Sequence, residues 1–229
     1  MTDPHHVPLL FYILALLSIV YMTYNLRRLF LFRIGKNETE RSLDFFSGIT
    51  NALTFGILQR KILSSVFMYA AIMHFLLAWG FIELLFATTI DFFSAREWFS
   101  GYLPELDTPW FAAINDLGGI MLFGGLVMAI YCRHANKPEP LPQNFFKGRN
   151  NLLGDTGILL LLIFLVLQGF ITEASRLAVE QPLTANWSWI GYPISKLMPQ
   201  SVWKMLQPGL WWFHAITALI FISILPLTK

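Results

Sequence analysis

Five long apolar runs with few charged side chains constrain this chain more than any other feature. A helix rising about 1.5 Å per residue crosses the roughly 30 Å hydrocarbon core of a bilayer in about 20 residues. The runs extend from Val7 to Leu26, Ile62 to Ile90, Phe111 to Cys132, Asp155 to Thr172, and from just after Pro208 to Leu227. Backbone placed in lipid must satisfy its own hydrogen bonds. The predicted fold is therefore all-α: an integral membrane bundle of five transmembrane helices forming a single domain over residues 1–229. Composition points the same way, with 55% hydrophobic and 13% charged residues against about 25% charged in soluble proteins. The 21 Phe and 8 Trp are strung along the runs rather than set at an alternating period, which implies one long bundle instead of soluble globules.

Polar connections separate the runs. Arg27 and Arg28 stop the first, and the mixed segment Leu29 to Lys61 reads as loop or interface. Asp91 to Trp110 is expected to be a loop with Pro104 and Pro109, and Ala135 to Gly154 a polar, proline-bearing one. Glu173 to Gln207 reads as a longer connection whose Trp187, Trp189, Tyr192 and Trp203 carry the aromatic signature of a membrane surface. Twelve Lys and Arg fall on one side of the bundle, in the connections after the first and third runs and at Lys229; Arg96, Arg176, Lys196 and Lys204 fall on the other. Cytoplasmic loops retain positive charge, so the N-terminus is expected outside and the C-terminus in the cytoplasm, in the inner (plasma) membrane of a cell. The first run has no basic leader and no A-x-A-like cleavage site, so it reads as a retained helix.

Several function classes are disfavoured at this level. A net charge of +2, carried in short loops, gives no basic face for nucleic acid. The single Cys132 rules out an internal disulfide or a Cys-rich zinc or iron–sulfur site within these residues. No H-E-x-x-H spacing marks a membrane hydrolase. A transporter would be expected to show internal repeats and interrupted helices, and neither is visible.

Ionisable groups inside a span are costly and point to function. Here they are His74 and Glu83 in the second run and His214 in the fifth, whereas His5, His6 and His134 lie outside or at the edge of spans and read as surface residues. Two neutral imidazoles on different helices suit a b haem, whose iron takes axial nitrogen donors without covalent attachment. Counted from the span ends, His74 lies about 18 Å and His214 about 21 Å from the inner face, compatible with a shared level. Ala70, Ala71, Ala78 and Gly80 would make room for a macrocycle or serve close helix packing equally well. Asp116 and Asp155 sit near helix beginnings, where carboxylates stabilise orphan amides. Trp211 and Trp212 read as interface anchors.

The segment W-W-F-H-A-I-T-A-L-I-F-I-S-I-L-P-L-T-K, in which Pro226 follows His214 by twelve residues and Lys229 comes three later, resembles the last helix of the gamma subunit of respiratory nitrate reductase. It is also similar to the membrane cytochrome b portions of heterodisulfide-reductase-like iron–sulfur oxidoreductases. M-H-F-L-L-A-W-G-F resembles that family's second helix and L-V-L-Q-G-F-I-T, with Gln168, its fourth. G-F-I-T-E-A-S-R, with Glu173 and Arg176, looks closer to the heterodisulfide-reductase-like branch.

The resemblance implies a haem b-containing domain that exchanges electrons between a quinone pool and a cytoplasmic iron–sulfur protein or domain. Such a chain would be the membrane subunit of a quinone-linked respiratory oxidoreductase rather than a complete enzyme. His74 and His214 match family haem ligands and are expected to bind iron, one haem or two. The family's second ligand on helix two falls here on Leu84, and the companion of His214 would fall past Lys229. The iron–sulfur cluster is expected in a partner or in a C-terminal domain of a longer chain. Arg176 is a candidate contact for a haem propionate, with pairing to Glu173 as the alternative; Glu83 would pass protons, contact a quinone or simply be hydrogen-bonded. The rival reading is a cofactor-free membrane anchor that recruits a cytoplasmic partner and has no need of His74 and His214.

Overall fold

A computed structural model describes residues 9–33, 45–51, 53–54, 68–94, 102, 108–134 and 155–227. Its regular elements among these residues are all helices: α1 (Leu9–Arg33), α2 (Phe45–Asn51), α3 (Met68–Ser94), α4 (Pro109–His134), α5 (Asp155–Glu180), α6 (Gly191–Ser195) and α7 (Gln200–Ile224), with short 3-10 turns at Ala185–Trp187 and Leu225–Leu227. Five of them, α1, α3, α4, α5 and α7, are long and apolar enough to cross a membrane, and the chain is a multi-pass membrane protein. The connections 34–44 and 135–154, most of the stretch between α3 and α4, His5, His6 and Lys229 lie outside the described residues.

The helices run in alternating directions, α3 packing on α4, α4 on α5, α5 on α7 and α1 on α7. Lipid supplies no hydrophobic drive between apolar helices, so association rests on close packing at small residues. Gly80 brings α3 onto the α4 backbone: a Cβ there would lie 2.5 Å from Leu122 N and 2.8 Å from Gly118 O. Gly125 does the same against Leu77, and Gly119 receives the Phe170 ring of α5. Leu122, Leu126 and Val166 form the centre of this three-helix contact, with Leu77, Phe81 and Phe170 around it. Of the two readings open for Gly80, the structure takes close packing. The outer faces, such as Leu9, Ile13 and Leu16 of α1, are exposed, as lipid-facing side chains must be.

At the end where α3 and α5 finish and α4 and α7 begin, residues 181–199 fold over the bundle; we call it the capped end and its opposite the open end. Helix α5 does not stop at Thr172 as expected but continues to Glu180. It ends there because Gln181 takes a left-handed conformation (φ 49°), with its N–H on Leu177 O, and Pro182 follows. Likewise α7 starts at Gln200, its first turn closed by Val202 and Trp203 N–H groups on Pro199 O, and Pro208 lies inside it. A span expected to start after Pro208 thus begins at Gln200 instead. Helix α3 continues to Ser94, and α4 starts at Pro109 behind Thr108, where a proline costs no helical hydrogen bond.

Trp203 corrects a second expectation. It is 2% exposed, packed with Ala174 and Ala178, and its Nε1 donates to Ser195 O (2.9 Å). The ring therefore nails the cap to α5 and α7, while Trp187 and Trp189 are exposed.

Candidate functional site

Polar side chains in the spans divide into those that the helix itself satisfies and those that it does not. Thr88, Thr89, Thr217 and Ser223 each donate to the carbonyl four residues earlier, at 2.7–2.8 Å, the usual way a hydroxyl is hidden in an apolar helix. Thr172 does not: its Oγ1 is buried without a hydrogen-bond partner. The same holds for both amide atoms of Gln168, which is 7% exposed, and for Nδ1 of His214.

These residues share a place. Along α5, Val166, Phe170 and Glu173 face α4, whereas Leu160, Phe164, Leu167 and Ile171 are exposed. Gln168 and Thr172, one turn apart, fall on neither stripe and belong to the side that meets α7. The His214 ring stands there too, its Cε1 3.5 Å from where a Gly169 Cβ would be. Four unpartnered polar atoms thus belong to three residues of one helix interface. Each such group costs about 1–3 kcal/mol if left unpaired, so the arrangement calls for a polar occupant.

The sequence candidates are placed differently. His214 is half-buried within the bundle, while His74 is exposed on the surface of α3. The Phe81 and Phe221 rings meet at 6.3 Å, each seven residues after a histidine on helices of opposite direction. His74 therefore lies on the open-end side of that contact and His214 on the capped-end side. His214 is ten residues from the end of α7, about 15 Å. The two histidines are not brought together among the described residues. Tested against a haem, His214 fits an axial ligand: it is inside the bundle, beside a glycine, with one ring nitrogen unpaired. His74 offers its donor at the bundle surface. No group of three or more His, Cys, Asp or Glu able to hold a metal occurs among the described residues.

A second polar centre lies toward the capped end. Asp116, 1% exposed and seven residues into α4, does not cap its own helix; its Oδ2 accepts from Ile190 N at 2.7 Å. The Glu173 carboxyl of α5 abuts that of Asp116 and accepts from Ser188 Oγ at 2.8 Å. Gly191 closes over it, since a Cβ there would lie 3.0 Å from the Glu173 carboxyl carbon. Arg176 lies close enough to Glu173 to interact with it and forms an ion pair with Glu180 at 2.9 Å. Glu83 lays its carboxyl over Gly118, with Oε2 buried and unpartnered.

The roles of Gln168 and Thr172 escape sequence reading because a lone amide or hydroxyl in an apolar run is ordinarily hidden by its own helix. The available signal was Gln168 itself, the one amide in the run Leu159 to Thr172.

Among proteins of known activity, the chain is similar to an "EtfAB:quinone oxidoreductase" from Syntrophomonas wolfei subsp. wolfei. The two are 26% identical over 238 residues, an alignment covering 96% of this chain and 31% of that protein. The chain thus spans under a third of the length of the relative it matches. No protein-family model matches the chain, and no solved structure does.

Proposed function

We propose that this chain is the membrane domain of a quinone-linked oxidoreductase, carrying electrons between a quinone pool and a partner protein or domain. The observation that carries the reading is His214, an imidazole held inside the bundle with an unpaired nitrogen beside the equally unpaired Gln168 and Thr172. Support comes from the relative, whose name states a quinone reaction and whose similarity extends over nearly the whole chain.

On this reading His214 and His74 hold haem b. A haem bound there supplies one-electron redox chemistry, with the potential set by the axial ligands and by burial. The chain's own part is to present imidazoles, keep water out with its apolar helices and hold the quinone. Because His74 stands at the surface and nearer the open end, the geometry favours separate sites for the two histidines over one shared haem. Arg176 serves the same end as a contact for a propionate at the capped end. The twelve Lys and Arg on the open-end side favour a cytoplasmic C-terminus in the inner (plasma) membrane, facing an iron–sulfur partner or domain that delivers or receives the electrons.

The test is a reduced-minus-oxidised visible spectrum of the purified protein, with haem counted as the pyridine haemochrome. We expect a b-type spectrum that His214→Ala loses in large part and that His74→Ala loses in a separate portion. Complete loss in either variant alone would mean one shared haem. A folded, membrane-inserted protein without haem would overturn the cytochrome reading in favour of a cofactor-free anchor.

A further inference from the structure

We infer that the α5–α7 interface at Gln168 and Thr172, beside His214, binds the headgroup of a quinone or quinol. The inference rests on the quinone-linked reading above and assigns that substrate a place and contacts.

The donor and acceptor inventory of the interface matches such a headgroup. A quinone offers two carbonyl oxygens, which only accept, and Gln168 Nε2 and Thr172 Oγ1 are unpartnered donors. The quinol form has hydroxyls to donate, and Gln168 Oε1 and the same Thr172 oxygen are unpartnered acceptors. One set of side chains therefore serves both redox forms, as a site that must take in one and release the other requires. Being on adjacent turns, Gln168 and Thr172 address the same side of α5. The lipid-exposed Phe164 and Phe213 rings, 5.8 Å apart, bridge the two helices at the edge of this interface, where an apolar ligand would arrive from the bilayer.

A site built for a ligand and an interior merely hydrated or badly packed respond oppositely to the removal of polarity. If Gln168 exists to bind a headgroup, then Gln168→Met, similar in volume and without unpaired amide atoms, should make the quinone-free protein more stable while weakening binding. The experiment uses the full chain in lipid nanodiscs, titrated with 2-methyl-3-prenyl-1,4-naphthoquinone and followed by tryptophan fluorescence. For Gln168→Met we expect Kd to rise about tenfold, and the quinone-free melting temperature to rise by about 2–4 °C. Thr172→Val should shift both in the same directions by less, and the haem spectrum should stay unchanged in both variants. Variants that bind the naphthoquinone as the wild type does would overturn the site and leave the quinone-linked reading standing. So would a Gln168→Met protein that melts lower or fails to insert, because the amide would then be held by protein or water. A wild-type protein that binds no naphthoquinone would overturn both.

Discussion

Replacing Gly80 by valine should separate α3 from α4 and cost more stability than any other single substitution at a glycine of the bundle. The reason lies in what a side chain would meet. At Gly80 the nearest atoms are Leu122 N, Gly118 O and Leu122 Cα, at 2.5, 2.8 and 2.9 Å, all of them backbone of α4. Backbone in a helix cannot swing aside, so the helices must move apart, and Leu77, Leu84 and the central Leu122 and Leu126 would lose contacts together. In lipid no hydrophobic drive compensates, because tails are as apolar as the side chains they replace. We expect a loss on the order of 4 kcal/mol, at the severe end for point mutants, and a smaller one for Gly80→Ala. Gly118 is the control. A Cβ there meets the Glu83 carboxyl, the far end of a flexible side chain, so Gly118→Ala should move Glu83 and cost far less. Reversible unfolding in mixed detergent micelles reads all three variants. If Gly80→Val unfolds like the wild type, the close α3–α4 approach is wrong.

Much of this architecture could be read in the sequence, and the parts that could not share a cause. Five spans follow from length and hydropathy, since lipid leaves the backbone no alternative to a helix. Their ends do not follow, because a polar residue at the edge of an apolar run reads as a helix end whether or not the fold receives it. Glu173 does not end α5: Asp116 and Ser188 receive its carboxyl inside the fold. Trp203 reads as a membrane-surface residue by type, yet its one polar atom finds Ser195 O and the ring is buried. Each case turns on a partner beyond the helix's own turn, Ser188 fifteen residues from Glu173 and Ser195 eight from Trp203, which no local pattern displays. His214 was legible because a histidine within a charge-poor run has no cheap local explanation. Its surroundings were not, because the face of α5 that turns toward α7 is set by packing.

Asp116→Ala should loosen the whole cap, and Asp116→Asn should leave it nearly intact. The alanine variant removes the acceptor of Ile190 N–H and strands the Glu173 carboxyl beside the space left behind. Leaving the Ile190 N–H without its acceptor inside the fold costs about 1–3 kcal/mol. Asparagine keeps an oxygen for Ile190 N–H and adds an NH2 that can donate to the Glu173 carboxyl; the loss should be under about 1 kcal/mol. Glu173→Gln preserves an acceptor for Ser188 by the same logic, and Glu173→Ala should resemble Asp116→Ala. The double alanine variant should lose less than the sum of the two singles, since each single strands what the other would have removed. Amide hydrogen exchange locates the effect. In Asp116→Ala the protection of Ile190 and of neighbouring cap amides should fall well before that of α4 and α5, whereas in Asp116→Asn it should persist. Equal losses in Asp116→Ala and Asp116→Asn would show that a negative charge is required there and would sink the hydrogen-bonded account. Because Glu173 directly follows Thr172, the cap that this pair holds down closes the capped end of the α5–α7 interface. Opening it should admit water to Gln168 and His214, so Asp116→Ala should also weaken naphthoquinone binding without touching any residue that contacts the headgroup.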